Sequence, residues 1–197
     1  MYTRGVMEIL LIRHGHAVDE APGLGDAGRW LSVKGRRVTR KVARWLAKSD
    51  KRRPAAIWTS PLVRAVQTAE IVAAETGYKG ELRACAQLGT GHDPGDLLQI
   101  LGAETGTGPI ALVGHEPSLS RIAAALLGDI GFTGFKKSAV MGLTWQPSSA
   151  KPAVHDGGSP PKPPGELWFL LDPARMKSQK RLDPRPVAPP PTPVEDA

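Results

Sequence analysis

The sequence predicts an α/β protein, a three-layer α/β/α sandwich around a mostly parallel central sheet, and three features carry the prediction. Apolar runs of strand length recur at 6–12, 55–59, 81–86, 110–113, 139–145 and 166–171. Stretches with apolar residues three and four apart separate the first four of them. The first run, VMEILLI, places apolar residues on both of its faces, as a central strand covered on both sides requires.

Each element has a local reason. After the first strand, a loop rich in glycine and acidic residues leads to a helix over 32–48, whose apolar stripe is Leu31, Val38, Val42, Trp45 and Leu46. The second strand, 55–59, runs into Ser60-Pro61. Serine at the cap and proline in the first turn predict a helix that continues to Thr76 and stops at Gly77. A short helix at 95–101 follows the third strand, 81–86. The fourth strand, 110–113, leads through Gly114, His115 and Glu116 to a helix opened by Pro117 and closed by Gly128. The last two strands flank QPSSAKPAVHDGGSPPKPPG, whose Pro, Gly and Ser content predicts an exposed loop. Residues 1–172 are therefore expected to form one domain. From 173 the chain turns basic and then proline-rich, ending VAPPPTPVEDA, as expected of a disordered tail.

Bulk properties narrow the function. With 197 residues, 41% hydrophobic and 23% charged, the chain can bury a core of its own. The opening apolar run is too short for a signal-peptide core or a membrane span, so a cytoplasmic location without a membrane partner is expected. Cys85 is the only cysteine, which excludes an internal disulfide. The net charge of +7 suits an anionic partner, and much of it lies between Lys34 and Arg53. Helical spacing makes those residues the solvated side of a core helix. Aromatic residues make up only 5%, which offers no stacking platform for single-stranded nucleic acid and disfavours that partner.

Three strands end in unusual polar groups. LLIRHGHA delivers Arg13 and His14, AIWTSPLVRAVQTA delivers Ser60 and Arg64, and ALVGHEPSLS delivers His115. In an open α/β sheet these carboxyl ends share one edge, where ligands bind. Two arginines and two histidines gathered there would repel one another unless an anion joined them, and a phosphoryl group matches the planar fork of arginine. Gly15 and Gly114 flank the histidines, where a ligand would need close backbone approach. A metal alternative exists, with His14, His16, His92, Asp93 and His115 as ligands. Arg13 and Arg64 beside a dication argue against it, and neither a metal nor a cofactor is expected.

RHG after the first strand, SPLVRAVQTA after the second and GHEPSLS after the fourth together resemble the histidine phosphatase superfamily, whose fold is similar to that of phosphoglycerate mutase. The short chain and WLSVKGRRVTRKVARWL resemble its SixA-type phosphohistidine phosphatases most, over about residues 6–146. The resemblance implies a phosphatase in which His14 is the nucleophile that becomes phosphorylated, Arg13 and Arg64 bind the phosphoryl group, and His115 is the second histidine of that pocket. Larger relatives carry a glutamate acid on an inserted segment. The corresponding stretch here, LGTGHDPGDLLQILGAETGTG, is short, so no large cap is expected. Asp93 is the nearest candidate acid and His92 its reserve, while Glu116 reads equally well as a helix-start charge. The arginines are expected to lower the proton affinity of His14, and its second ring nitrogen to donate to a backbone carbonyl. The expected substrate is a phosphohistidine protein. A small phosphorylated metabolite is the alternative, and a non-catalytic anion-binding or nucleic-acid-binding module is a further one.

Overall fold

The computed structural model describes residues 5–21, 23–128, 132, 134–147 and 165–180. Most of the loop expected at 146–165, and residues 181–197 of the expected tail, lie outside the described residues.

Strand β1 (Met7–Arg13) is followed by a single helical turn, α1 (Gly25–Gly28), and by helix α2 (Val33–Ala47). Then come β2 (Ala56–Thr59), α3 (Val63–Thr76), β3 (Leu82–Ala84), α4 (Pro94–Gly102), β4 (Ile110–Gly114) and α5 (Ser118–Leu127). Strands β5 (Val140–Trp145), β6 (Gly165–Asp172) and β7 (Lys177–Gln179) complete one seven-stranded sheet in the order β3-β2-β4-β1-β5-β6-β7. The first four strands in that order pair in parallel, while β5, β6 and β7 add as an antiparallel extension.

The period of two in β1 divides the core. Ile9 and Leu11 join a cluster with Leu112, Leu97, Leu101, Leu119, Ile122 and Leu126, under α4 and α5. Leu10 and Ile12 join Ile57, Val113, Val42, Leu46, Ala69 and Val72, under α2 and α3. The sandwich is therefore three layers, with apolar side chains buried on both faces of β1. At about 1.5–3 kcal/mol per fully buried aliphatic side chain, these two layers hold the sheet and fix where its strands end.

Two expectations need correction. Helix α3 starts at Val63, and Ser60 does not cap it: Leu62 is the cap residue, with no side-chain hydrogen bond. The chain after Asp172 also turns back to form β7, which pairs with Leu170–Asp172 on the sheet edge. Gly77 ends α3 in the left-handed conformation, φ 75°, as its residue type suggests.

Candidate active site

The carboxyl ends of β1, β2 and β4 bring three distant stretches together. Parallel pairing sets Arg13 beside Gly114, so His14 and His115 emerge from neighbouring strands, with ring centroids 4.8 Å apart. His14 is 8% exposed, Arg64 6% and His115 2%, an unusual depth for ionisable groups. Arg13 is half-buried.

The backbone around His14 is held from several sides. Its N–H donates to the Gly114 carbonyl at 3.0 Å, and Ser138 N–H donates at 3.2 Å to the carbonyls of Arg13 and His14. Gly15 N–H donates to Thr68 Oγ1 at 3.1 Å, and Thr68 in turn donates to the Arg64 carbonyl one turn earlier in α3. A methyl group on Gly15 would lie 2.6 Å from Thr39 Oγ1 of α2 and 3.1 Å from Leu31. On Gly114 it would lie 3.0 Å from the Leu88 carbonyl. Packing between protein elements thus favours glycine at both positions, most strongly at Gly15. Gly35 is more demanding still, with the His16 carbonyl oxygen 2.0 Å from where its Cβ would be. Ser32 caps α2 by accepting from Gly35 N–H, and its hydroxyl also lies 2.9 Å from His16 Nδ1.

The ring of His14 has a fixed tautomer. Nδ1 lies 2.7 Å from the Gly15 carbonyl oxygen, which can only accept, so Nδ1 carries the proton and Nε2 the lone pair. Burial lowers the ring's pKa from 6.5 to about 3; His115, Arg64 and Arg13 push the same way, and the Gly15 carbonyl opposes them. The expected direction holds, but desolvation exceeds the arginine effect. His115 is lowered to about 4, again first by burial and then by Arg64.

His115 Nε2 lies 2.8 Å from Ser60 Oγ. Leu62 N–H donates to that same hydroxyl at 3.3 Å. Ser60 is fully buried, so its proton has His115 Nε2 as acceptor, and the neutral imidazole then carries its own proton on Nδ1. Nδ1 of His115 and Nε of Arg13 are buried without a hydrogen-bond partner among the described residues.

Arg64 is engaged by a residue that the sequence did not single out. Its Nη1 donates to the Asp26 carbonyl at 2.6 Å and its Nη2 to Asp26 Oδ2 at 2.8 Å. Asp26 Oδ1 accepts from Arg29 at 3.0 Å. Arg64, ahead of Arg29, holds the Asp26 carboxyl below its usual range. Asp26 lies in the single helical turn α1, in a glycine-rich stretch that also holds Asp19 and Glu20, and nothing in that stretch marked it out. Arg13 donates through Nη1 to the Phe135 carbonyl, while Phe135 N–H donates to Glu116 Oε1 at 2.6 Å. Glu116 Oε2 accepts from Ser120 Oγ. The backbone of one residue, Phe135, therefore links Arg13 to Glu116, which anchors Phe135 rather than serving only as a helix-start charge.

Asp93 and His92 lie elsewhere in character. Asp93 Oδ1 accepts from Gly95 N–H at 2.6 Å as the cap of α4, and both side chains are exposed. The carboxylate is engaged in starting a helix, which argues against the acid role expected from its loop.

Comparison with known proteins follows the same geometry. Residues 9–88 match the family model described as histidine phosphatase superfamily (branch 1). An uncharacterized protein of Picosynechococcus sp. is 37% identical over 147 residues, spanning 70% of this chain and 84% of that protein. The structure of the protein histidine phosphatase SixA complexed with tungstate superposes with a TM-score of 0.73 at 25% identity, covering 87% of this chain and 100% of that one. A candidate SixA phosphohistidine phosphatase of Agrobacterium tumefaciens shares the fold, with a TM-score of 0.67 at 22% identity over 84% of this chain and 97% of its own. The chain belongs to the histidine phosphatase superfamily, with its likeness running to the SixA type, and is a phosphatase of the histidine-nucleophile class. No described helix is long and apolar enough to cross a membrane.

Proposed function

We propose that the protein is a phosphohistidine phosphatase acting on a phosphorylated protein in the cytoplasm, with His14 as nucleophile and Arg13, Arg64 and His115 as the phosphoryl-binding groups. The observation that carries this reading is the 2.7 Å contact between His14 Nδ1 and the Gly15 carbonyl, because it leaves Nε2 as a neutral lone pair beside His115. His115 Nδ1 and Arg13 Nε support it as buried donors for which phosphoryl oxygens are suitable acceptors. The tungstate complex of SixA supports it too, since tungstate is a tetrahedral oxyanion.

In the first step His14 Nε2 attacks phosphorus, a new P–N bond forms, and the leaving group departs with the electron pair of the bond that breaks. Charge on the equatorial oxygens is met by donors already in place, so little reorganisation is needed. Water then attacks the phosphohistidine, releasing phosphate and restoring His14. The imidazole of a phosphohistidine departs without the strong acid that an alkoxide demands. That suits a site in which Asp93 caps a helix. Residues 1–172 are read as the catalytic domain and 173–197 as an appendage whose first residues return to the sheet edge.

The test is turnover of a phosphohistidine peptide, 4-nitrophenyl phosphate and a metabolite panel by wild type and His14→Ala. Preference for the peptide, with loss in the variant, is the expected result. Equal turnover by the two proteins removes His14 as nucleophile, and preference for a metabolite converts the reading to a small-molecule phosphomonoesterase.

A further inference from the structure

Among the described residues two carboxylates stand within electrostatic reach of the cations and imidazoles of the site: Asp26, which acts on His115, and Glu116, which acts on Arg13. Both oxygens of Glu116 accept hydrogen bonds from the protein, and the residue holds the Phe135 peptide in place. Asp26 differs. Its side chain is 50% exposed, although the side chain of Arg64, to which it is bonded, is only 7% exposed. A carboxylate offers about four lone-pair sites. The bonds from Arg29 and Arg64 use one on each oxygen, so Asp26 keeps acceptor capacity beside Arg64, on a side chain half open to solvent.

We propose that Asp26 is a specificity-determining residue, an ionised carboxylate at the mouth of the site that accepts the distal ring N–H of a departing imidazole and so favours phosphoramidate over phosphate-ester substrates. The inference rests on the phosphatase reading of the site given above. A phosphohistidine that loses its phosphoryl group to His14 leaves as neutral imidazole only if its other ring nitrogen is protonated; otherwise it must leave as imidazolate. During the step the bond between phosphorus and the substrate nitrogen breaks, its electron pair returns to that nitrogen, and the proton stays on the distal nitrogen, where Asp26 holds it. An ester gains nothing from the same group. Asp26, paired with two arginines, has no proton to give an alkoxide, and its charge opposes a phenolate.

The experiment compares kcat/KM for a phosphohistidine peptide and for 4-nitrophenyl phosphate in wild type, Asp26→Asn and Asp26→Glu. Any loss transmitted through Arg64 is common to both substrates and cancels in their ratio. Asp26→Asn is expected to lower the ratio of peptide to ester turnover about tenfold, the worth of one hydrogen bond to a charged group. Asp26→Glu is expected to recover part of it. An unchanged ratio in Asp26→Asn, with the peptide still a good substrate of wild type, overturns the role of Asp26 alone. Wild type that cleaves the ester and not the peptide overturns the substrate reading together with it.

Discussion

His115 Nε2 lies 2.8 Å from the hydroxyl of Ser60, a fully buried serine that sits directly after β2 and outside the helix it would have been expected to cap. The pair makes Ser60 a positioning residue, because the hydroxyl selects which nitrogen of His115 carries the proton. In Ser60→Ala the tautomer preference is lost, and kcat/KM is expected to fall about tenfold, with about 1 kcal/mol lost from stability. The ¹⁵N shifts of His115 distinguish this from a merely structural effect. They should move from a single Nδ1–H form toward a mixture, and unchanged shifts would remove the role.

Burial of His14 and His115 has a cost that depends on pH. Their folded pKa values, about 3 and about 4, lie below the unfolded value of 6.5. As pH falls below 6.5 the unfolded chain takes up protons that the folded chain refuses, so stability drops between 6.5 and those folded values. Between pH 7 and pH 5 the loss is about 1–2 kcal/mol for each ring. His14→Ala should therefore flatten the decline of denaturant midpoint over that range. A decline as steep as that of wild type would show that the ring is not held neutral.

Arg64 meets Asp26 through two nitrogens of its planar fork. Lysine keeps the charge but cannot make the paired contact. Arg64→Lys is expected to raise KM and to lower kcat/KM about 10-fold or more for every phosphorylated substrate, with inorganic phosphate inhibiting correspondingly less. Retention of wild-type inhibition by phosphate would show that Arg64 does not contact the phosphoryl group.

The junction of α2 with the loop after β1 leaves no room for a side chain at Gly35, where a Cβ would lie 2.0 Å from the His16 carbonyl oxygen. The neighbour is backbone and cannot rotate away. Gly35→Ala should cost about 2–3 kcal/mol in thermal or chemical unfolding, near the upper range for overpacking. A variant as stable as wild type would mean that α2 can slide without penalty.

Asp93 begins α4 by accepting from Gly95 N–H. Asp93→Ala should lower stability by about 1 kcal/mol, the usual worth of an N-cap, while kcat/KM stays within about twofold. A large fall in kcat with unaltered stability would return the acid role to this residue.

Much of the architecture could be read from the chain because burial imposes periodicity. Leu10 and Ile12 face one layer and Ile9 and Leu11 the other, so the run at 6–12 announced a central strand. Arg13, His14, Arg64 and His115 could be read because each lies at or shortly beyond the carboxyl end of a strand, on the edge where parallel strands end. Asp26 could not, since its importance comes from a contact with Arg64, 38 residues away, and its own neighbourhood is a glycine-rich stretch with a single short helical turn. The fate of Ser60 was misread for a related reason. Ser-Pro satisfies the local rule for a helix start, but a tertiary partner, His115, claimed the hydroxyl, and α3 begins three residues later. Strand β7 was missed because Lys177–Gln179 is exposed and polar, with no alternation for an edge strand to display.

The anchoring of residues 13–15 by Gly114, Ser138 and Thr68 bears on the order of events in a turnover. A side chain on so rigid a mount cannot carry a captured phosphoryl group from one chamber to another. On the reading that His14 is the nucleophile, the dephosphorylated substrate has to vacate the space facing its ring before a water molecule can line up behind the phosphorus. Kinetics of the ping-pong type, with the first product released ahead of phosphate, are the expected signature.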